Sequence, residues 1–357
     1  MKNTQSVSLF LRRLLPLLLL AALLPAAGLC EGADVEDIEI PKTAEYTLPL
    51  DFTWGPEPKA DGFSETKDEN GNPVRIYEDS TIRVVISETR WFVPDEPKDK
   101  TGTQIWLADI TIADPSQLRT ASMDALFNAD RIGNFSNNKK QGDIVTLAER
   151  YNAVVALNGD SWGANSRAEK NNFGIVFRQG QLIDCKSRLD PAGKYRMDLL
   201  IVDESGDFHG IHSAMEGDLD DPYTFEGKKV LDIFAFGPIL VENGEAIHDY
   251  RGADRAKGGT WMYMRSDEDA QRVAFCQLGP LHYMFAATAV RKSGRNYSLT
   301  LPQFSDFLAA RGVQFAYNLD GGVSSVLYFR GAGKINMAEV RQGRDLWDMI
   351  YFATAEP

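Results

Sequence analysis

The chain has 357 residues, a hydrophobic content of 43% and a formal net charge of −13 at pH 7. This apolar content is sufficient for a sizeable core, in one large domain or in two smaller ones. The excess of acidic residues argues against a nucleic-acid partner, which needs a basic face, and against direct contact with a polyanionic membrane surface.

The first thirty residues have the pattern of a secretory signal peptide. Arg12 and Arg13 precede the apolar run LLPLLLLAALLPAAGLC, which is broken by prolines and is short for a membrane span. We therefore predict a signal peptide over residues 1–30 and a secreted or extracytoplasmic protein of the cell envelope. A membrane connection would require an N-terminus that is uncleaved, or one that is lipidated at Cys30.

An acidic, proline-rich stretch follows the signal peptide and shows no clear periodicity. We interpret it as an N-terminal arm or linker over residues 31–64, followed by one domain over residues 65–357. The chain has only three cysteines, which is too few for a disulfide scaffold. The sequence leaves open whether Cys185 and Cys276 form a disulfide or remain buried thiols.

Several segments of the domain have the alternating pattern of β-strands. The first two are Thr81–Ser87 and Thr103–Ile112. Three hairpins are predicted further along, with turns at Gln179-Gly180, Glu204–Gly206 and Asn243-Gly244.

Two helix–strand units end in a similar polar sequence. In the first, Asp143 is predicted to cap a helix that leads to the apolar strand Ala153–Leu157. In the second, Thr300 caps a helix that leads to the strand Val313–Tyr317. Both strands are followed by Asn-x-Asp. This is either an internal structural repeat or a coincidence, since Asn and Asp are common in turns. These elements predict an α+β fold, a single domain with a mixed β-sheet and a few helices.

The chain lacks the common sequence signatures of catalytic and cofactor sites. It contains no P-loop, no dinucleotide-binding glycine fingerprint, no HExxH and no G-x-S-x-G motif. The pair His209-x-x-His212 has no carboxylate partners at regular spacing, so we predict no metal and no cofactor. An unrelated serine hydrolase that uses Ser324 or Ser325 is one hypothesis, because the members of a catalytic triad need not be adjacent in sequence.

The segment Asn318–Ser325, with the sequence NLDGGVSS, resembles the NLDGGGSS motif of the phosphodiester glycosidase family. Other segments that resemble this family occur in the same order, and they are AVVALNGDSW, NFGIVFRQGQLI, FGPILVENG, QRVAFCQLGPLHY and DLWDMIYF. The resemblance extends from roughly Thr81 to Phe352. It implies a hydrolase that acts on a carbohydrate or glycosyl-phosphate substrate, as expected for a family that includes exopolysaccharide-related secreted proteins.

The resemblance also suggests how the substrate would be bound. A phosphodiester anion is held best by the planar fork of arginine, and the candidates are Arg272 and Arg291. Further candidates for binding phosphate or sugar oxygens are the backbone amides of Gly321, Gly322 and Val323 and the hydroxyl groups of Ser324 and Ser325.

Glycoside cleavage usually employs two carboxyl groups. If the two Asn-x-Asp segments lie side by side, Asp160 and Asp320 converge, and we predict that this pair is catalytic. Asn158 and Asn318 would then orient substrate hydroxyls or the carboxylates. The structural alternative is that these aspartates only satisfy backbone amides in turns.

Departures from the family pattern motivate an alternative function. Val323 occupies the position of the third motif glycine, and Cys276 occupies that of another glycine. Asn296 and Ser298 replace a serine and a glycine of a further segment. The alternative is a non-catalytic glycan- or cell-envelope-binding module on the same scaffold.

Overall fold

The computed structural model describes residues 40, 44–92, 102–123, 142–160, 175–184, 197–214, 218–250, 267–288, 299–337 and 344–357. These residues belong to one compact unit that runs from Ile38 to Pro357. The predicted signal peptide, Cys185 and Arg291 lie outside the described residues. Within the described ranges, no helix is long and apolar enough to cross a membrane.

Most of the described secondary structure is β-strand, with two α-helices. The strands are β1 (Phe63–Lys67), β2 (Pro73–Glu78), β3 (Ile82–Trp91), β4 (Thr103–Ile112), β5 (Leu118–Ser122), β6 (Val155–Asn158), β7 (Val176–Arg178), β8 (Gln181–Asp184), β9 (Met197–Asp203), β10 (Phe208–Ala214), β11 (Thr224–Phe225), β12 (Lys228–Ala235), β13 (Ile239–Glu242), β14 (Glu245–Ala246), β15 (Val273–Gly279), β16 (His282–Thr288), β17 (Phe315–Asn318), β18 (Leu327–Phe329), β19 (Gly333–Lys334) and β20 (Asp348–Phe352). The α-helices are α1 (Ile144–Arg150) and α2 (Leu301–Ala309).

The strands form three sheets. The nine-stranded sheet has the order β1-β2-β3-β4-β16-β15-β17-β13-β14. The six-stranded sheet has the order β10-β9-β12-β7-β8, with β11 paired to β12, and the five-stranded sheet has the order β19-β18-β6-β20-β5.

The predicted single domain with a few helices is confirmed, but the prediction of one mixed sheet is wrong. There are three sheets, and every strand pairing among the described residues is antiparallel. Short connections between neighbouring strands favour antiparallel pairing. Tight hairpin turns at Gln179-Gly180 and Asn243-Gly244, in which all four residues have positive φ, join neighbouring strands in antiparallel fashion.

The central core lies where the inner faces of the three sheets meet. The side chains of β20 alternate between its two faces. Ile350 and Phe352, on the inner face, belong to the central core. Met349 and Tyr351, on the other face of β20, pack with the buried side of α1. Helix α2 covers the outer face of the nine-stranded sheet in the same way.

Both helix–strand units predicted from the sequence are present. The Asp143 carboxylate accepts a hydrogen bond from the Val145 amide at 2.8 Å and caps α1. Thr300 and Gln303 form a reciprocal capping box at the start of α2. The strands that follow, β6 and β17, belong to different sheets, the five-stranded and the nine-stranded sheet respectively.

Part of the predicted N-terminal arm, residues 44–62, is bonded to the strands of the domain. Arg119 Nη2 on β5 donates hydrogen bonds to the carbonyl oxygens of Pro49 and Thr53, each at 2.8 Å. The Phe52 amide donates to Gln179 Oε1 at 3.1 Å. This segment is therefore fixed through its backbone to two of the three sheets.

Candidate functional site

The two Asn-x-Asp segments lie at points where the chain leaves a strand, and they contact each other. Asn158 Nδ2, at the end of β6, donates a hydrogen bond to the backbone carbonyl oxygen of Asp320 at 2.8 Å. The Val326 amide donates to Asn158 Oδ1 at 3.0 Å. The side chain of Asn158 thus joins the end of β6 to both flanks of the segment that links β17 to β18.

That linking segment, residues 318–325, is called the glycine turn below. It interrupts the apolar sequence because the chain passes here from the nine-stranded to the five-stranded sheet. A Cβ atom at Gly321 would lie 2.6 Å from the carbonyl oxygen of Gln271, and Gly322 has a φ of +63°. The Gly322 amide donates to the same Gln271 oxygen at 2.9 Å. One of the three amides predicted to bind an anion is therefore already hydrogen-bonded.

Two buried polar atoms of the glycine turn have no hydrogen-bond partner among the described residues, namely Asn318 Oδ1 and Ser325 Oγ. The rest of the turn is well anchored. Asn318 Nδ2 donates to the Gly237 carbonyl at 2.8 Å, and Asn336 Nδ2 donates to the Ser325 carbonyl at 3.1 Å. Buried polar atoms are usually hydrogen-bonded, so these two atoms are suited to a bound hydroxyl group or water.

The described arginine among the predicted phosphate ligands is bonded to the backbone. Arg272 donates from Nε to the Leu299 carbonyl at 3.0 Å and from Nη2 to the Glu268 carbonyl at 2.7 Å. Burial lowers the pKa of Arg272 to about 10. These contacts hold the Arg272 side chain against the backbone of two neighbouring segments. A different guanidinium, that of Arg344, lies 3.5 Å from Ser324 Oγ.

The histidine pair and the described cysteine have ordinary structural surroundings. His209 Nε2 lies 2.9 Å from Asp203 Oδ2, and His212 Nε2 lies 3.1 Å from Glu242 Oε2. Cys276 is a free buried thiol, and burial raises its pKa. Over the described ranges, no group of three or more His, Cys, Asp or Glu side chains is arranged to hold a metal ion.

The side chain of Asp160 points toward the six-stranded sheet. Its Oδ1 accepts a hydrogen bond from Arg178 Nη2 at 2.7 Å, and its Oδ2 accepts one from the Ala235 amide at 2.9 Å. Arg178 Nη2 also lies 3.6 Å from Asp348 Oδ2. Together with Asp232, these residues form a group called the buried cluster below: Asp160, Arg178, Asp232 and Asp348.

Strand geometry brings the buried cluster together. Asp348 is the first residue of β20 and shares its inward face with Ile350 and Phe352 of the central core. Arg178 ends β7 and stacks over the ring of Phe234, with its Cζ 4.3 Å from the ring centroid. The cluster therefore lies between the five-stranded and the six-stranded sheet.

Burial and mutual charge shift the protonation of the cluster. Burial, followed by the charge of Asp160, raises the pKa of Asp348 well above its usual value. Burial also raises the pKa of Asp232 to about 6, although Arg178 opposes this shift. Burial alone would lower the pKa of Arg178, but the charges of Asp160 and Asp348 raise it overall. The cluster thus combines an always-charged guanidinium with two carboxyl groups, Asp232 and Asp348, whose pKa values are raised by burial.

Sequence reasoning did not assign a site role to Arg178, Asp232, Asp348 or Asn336. Arg178 and Asp348 both lie in segments that carried the family resemblance. Each is a charged residue at the end of a short, otherwise apolar strand, IVFR and DMIYF. A buried charge needs a partner, so the position of each charged residue at the end of an apolar strand was the sequence feature that could have identified Arg178 and Asp348.

A model of the phosphodiester glycosidase family matches residues 151–353. The chain belongs to the phosphodiester glycosidase family. The matched residues include the glycine turn and the whole buried cluster, and the resemblance inferred from the motifs is confirmed. Among curated proteins, none matches the chain significantly.

Two solved structures illustrate what the chain is similar to. The first is the catalytic domain of zebrafish N-acetylglucosamine-1-phosphodiester alpha-N-acetylglucosaminidase, auto-inhibited by its pro-peptide. It has a TM-score of 0.52 and 15% identity over 82% of this chain and 87% of that chain. A hypothetical protein from Synechocystis has a TM-score of 0.47 and 14% identity over 81% of this chain and 68% of that chain. At 15% identity, the similarity to the zebrafish domain concerns the fold.

Gly159 is expected not to tolerate a side chain. A Cβ atom there would lie 2.1 Å from Asp348 Oδ2 and 2.4 Å from its Cγ, so Gly159→Ala must displace the buried carboxyl group. We expect a loss of roughly 1–3 kcal/mol in unfolding free energy, as for other overpacked interiors. Urea unfolding measures this, with Gly279→Ala as the control because a Cβ at Gly279 meets nothing within 4 Å. Equal stability of the two variants would contradict the clash.

Asp232→Asn is expected to change how stability depends on pH. The folded-state pKa of Asp232, about 6, is raised, so its contribution to stability is present below the unfolded-state pKa and is lost as the pH rises through about 6. Both Thr120 Oγ1 and the Gln179 amide donate to Asp232 Oδ1, and an asparagine oxygen can accept both bonds. The stability of the variant relative to the parent should therefore rise by roughly 2–3 kcal/mol between about pH 4 and pH 7.

Urea unfolding of parent and Asp232→Asn across that pH range measures this difference. The exposed Asp220→Asn provides the matched control. A difference between Asp232→Asn and parent that does not change with pH would contradict the prediction.

Proposed function

We propose that this phosphodiester glycosidase is a secreted hydrolase that releases a sugar from a sugar-1-phosphodiester or a related cell-envelope or exopolysaccharide linkage. The observation that carries the proposal is the contact between the two Asn-x-Asp segments, through Asn158 and the backbone of Asp320. This contact places the glycine turn beside the segment that carries Asp160. Both segments lie within the residues matched by the family model.

The proposed reaction is hydrolysis at the anomeric carbon. A water molecule attacks this carbon, the bond from carbon to phosphate oxygen breaks, and its electron pair leaves with the phosphate. Because a phosphate needs less protonation than an alcohol when it leaves, one carboxylate that accepts the water proton could suffice. We assign this role to Asp320, which is partly exposed on the glycine turn, with Asp160 as the second carboxyl group.

The glycine turn also offers groups for the substrate. The unpartnered Asn318 Oδ1 can accept a hydrogen bond from a sugar hydroxyl, and Ser325 Oγ can donate one. Ser324, Arg272 and Arg291 remain our candidates for the phosphodiester oxygens. Secretion is proposed from the basic and apolar pattern of residues 1–30.

The test is the release of free sugar from a panel of sugar-1-phosphodiesters by the purified protein and by Asp320→Asn. Turnover by the parent, with a loss of roughly 10²-fold or more in the variant, is the expected result. Equal rates would remove Asp320 from the mechanism. Glycan binding by calorimetry without turnover would favour the binding module, and labelling of Ser324 or Ser325 by a fluorophosphonate would favour a serine hydrolase.

A further inference from the structure

The buried cluster holds more carboxyl groups than cations. Asp160, Asp232 and Asp348 are each at most 5% exposed, and Arg178 is the guanidinium that contacts both Asp160 and Asp348. Asp160 Oδ1 and Asp348 Oδ2 lie 2.7 Å and 3.6 Å from the same Arg178 nitrogen, which brings the two carboxyl groups close together. Two carboxylates in such contact inside a protein cannot both be ionised without strong repulsion, so one of them carries a proton.

The hydrogen bonds indicate which of the two carries it. Among the described residues, Asp160 accepts hydrogen bonds from Arg178 Nη2 at 2.7 Å and from the Ala235 amide at 2.9 Å. Asp348 Oδ2 lies 3.6 Å from the same Arg178 nitrogen and has no hydrogen-bond partner among the described residues. The proton therefore belongs on Asp348, which can donate it in a hydrogen bond to Asp160. The raised pKa of Asp348, caused by burial and then by the charge of Asp160, agrees with this assignment.

The backbone keeps Asp348 in this position. The Gly159 amide donates a hydrogen bond to the Asp348 carbonyl at 3.2 Å. The Asp348 carboxyl group occupies the space that a side chain at position 159 would need. The acid is thus held directly against the Asn158–Asp160 segment, one residue away from the carboxylate that it contacts.

We infer that Asp348 is a positioning residue that, as a neutral carboxylic acid, donates a hydrogen bond to Asp160 and fixes the orientation of that carboxylate. The role in catalysis rests on the proposed hydrolysis, whereas the location of the proton does not. Among the described residues, the charged or titratable groups around Asp348 are Asp160, Arg178 from β7 and, through its charge on Arg178, Asp232 from β12.

The kinetic test compares the pH dependence of kcat/KM in the parent, Asp348→Asn and Asp348→Leu. The parent should lose activity at high pH, when Asp348 gives up its proton. Asp348→Asn keeps an N–H donor toward Asp160 and should remain active to higher pH. Asp348→Leu, which has no donor, should be slower by roughly 10²-fold at every pH, the cost of a misplaced catalytic group. The same alkaline limb in parent and Asp348→Asn would overturn the inference.

A second measurement does not depend on activity. Carbon-13 NMR of protein labelled at the aspartate carboxyl groups, in an Asp232→Asn background, should show one protonated carboxyl signal at neutral pH. That signal should be absent from Asp232→Asn/Asp348→Asn. If no protonated aspartate is found, the inference is overturned whatever the kinetics show. If the signal is present but no substrate is hydrolysed, the proton assignment stands and the proposed function fails.

Discussion

Replacement of Arg178 by methionine is expected to destabilise the protein by roughly 3–5 kcal/mol. Methionine retains much of the packing against Phe234, but it removes the cation that lies 2.7 Å from Asp160 Oδ1. A carboxylate left unpaired in the interior carries the full cost of its lost hydration. Urea unfolding at neutral pH measures the loss as a lower transition midpoint.

Two further variants distinguish charge from packing at this position. In Arg178→Met/Asp160→Asn the orphaned charge is absent, so part of the lost stability should return. Arg75→Met is the matched control, because Arg75 pairs with Glu65 at 3.0 Å on the surface, where an ion pair contributes about 0–1 kcal/mol. If Arg178→Met were no less stable than Arg75→Met, the buried cluster would not be the electrostatic unit described above.

Asp160→Asn is expected to lower kcat/KM for a hydrolysed sugar-1-phosphodiester by roughly 10²–10⁴-fold while the protein stays folded. An asparagine can still accept the Ala235 amide hydrogen bond, but it no longer carries the negative charge that Arg178 and Asp348 are arranged around. The rate should therefore fall, and stability should fall as well, because the buried Arg178 loses its nearest carboxylate. Steady-state kinetics, accompanied by urea unfolding, separates the two effects.

Asp306→Asn is the control for this activity prediction, because Asp306 lies on α2, is half exposed and contacts His248 rather than either Asn-x-Asp segment. Its kcat/KM should equal that of the parent. Retention of activity in Asp160→Asn would exclude Asp160 from the chemistry. The buried cluster would then have only a structural role.

The parts of the fold that sequence predicted correctly are those determined locally. Asp143 and Thr300 cap helices through bonds to amides two or three residues away, and Asn243-Gly244 forms a turn whose backbone twist suits the flanking strands. The number of sheets was not predictable in this way. Strand β6 pairs with β18 and β20, which lie far along the chain, and no local pattern identifies such partners.

The features of the site also differ in whether local sequence could predict them. The repeated helix–strand–Asn-x-Asp pattern led to the expectation that the Asn158 and Asp320 segments meet, and these segments are in contact. The roles assigned to the individual residues stay predictions. Arg178 and Asp348 were overlooked because a single charged residue in an apolar strand does not reveal its partner. That partner is determined by how two sheets pack, which depends on the whole chain.

The hydrogen bond from Asn158 to the Asp320 carbonyl spans 162 positions of sequence. Closing so long a loop costs chain entropy before any contact forms, and structures dominated by such distant contacts fold slowly. Hairpins and capped helices can form early from neighbouring residues, but none of them contains a working fragment of the site. During refolding, catalytic competence should therefore be among the last properties to return, and neither half of the chain expressed alone should possess it.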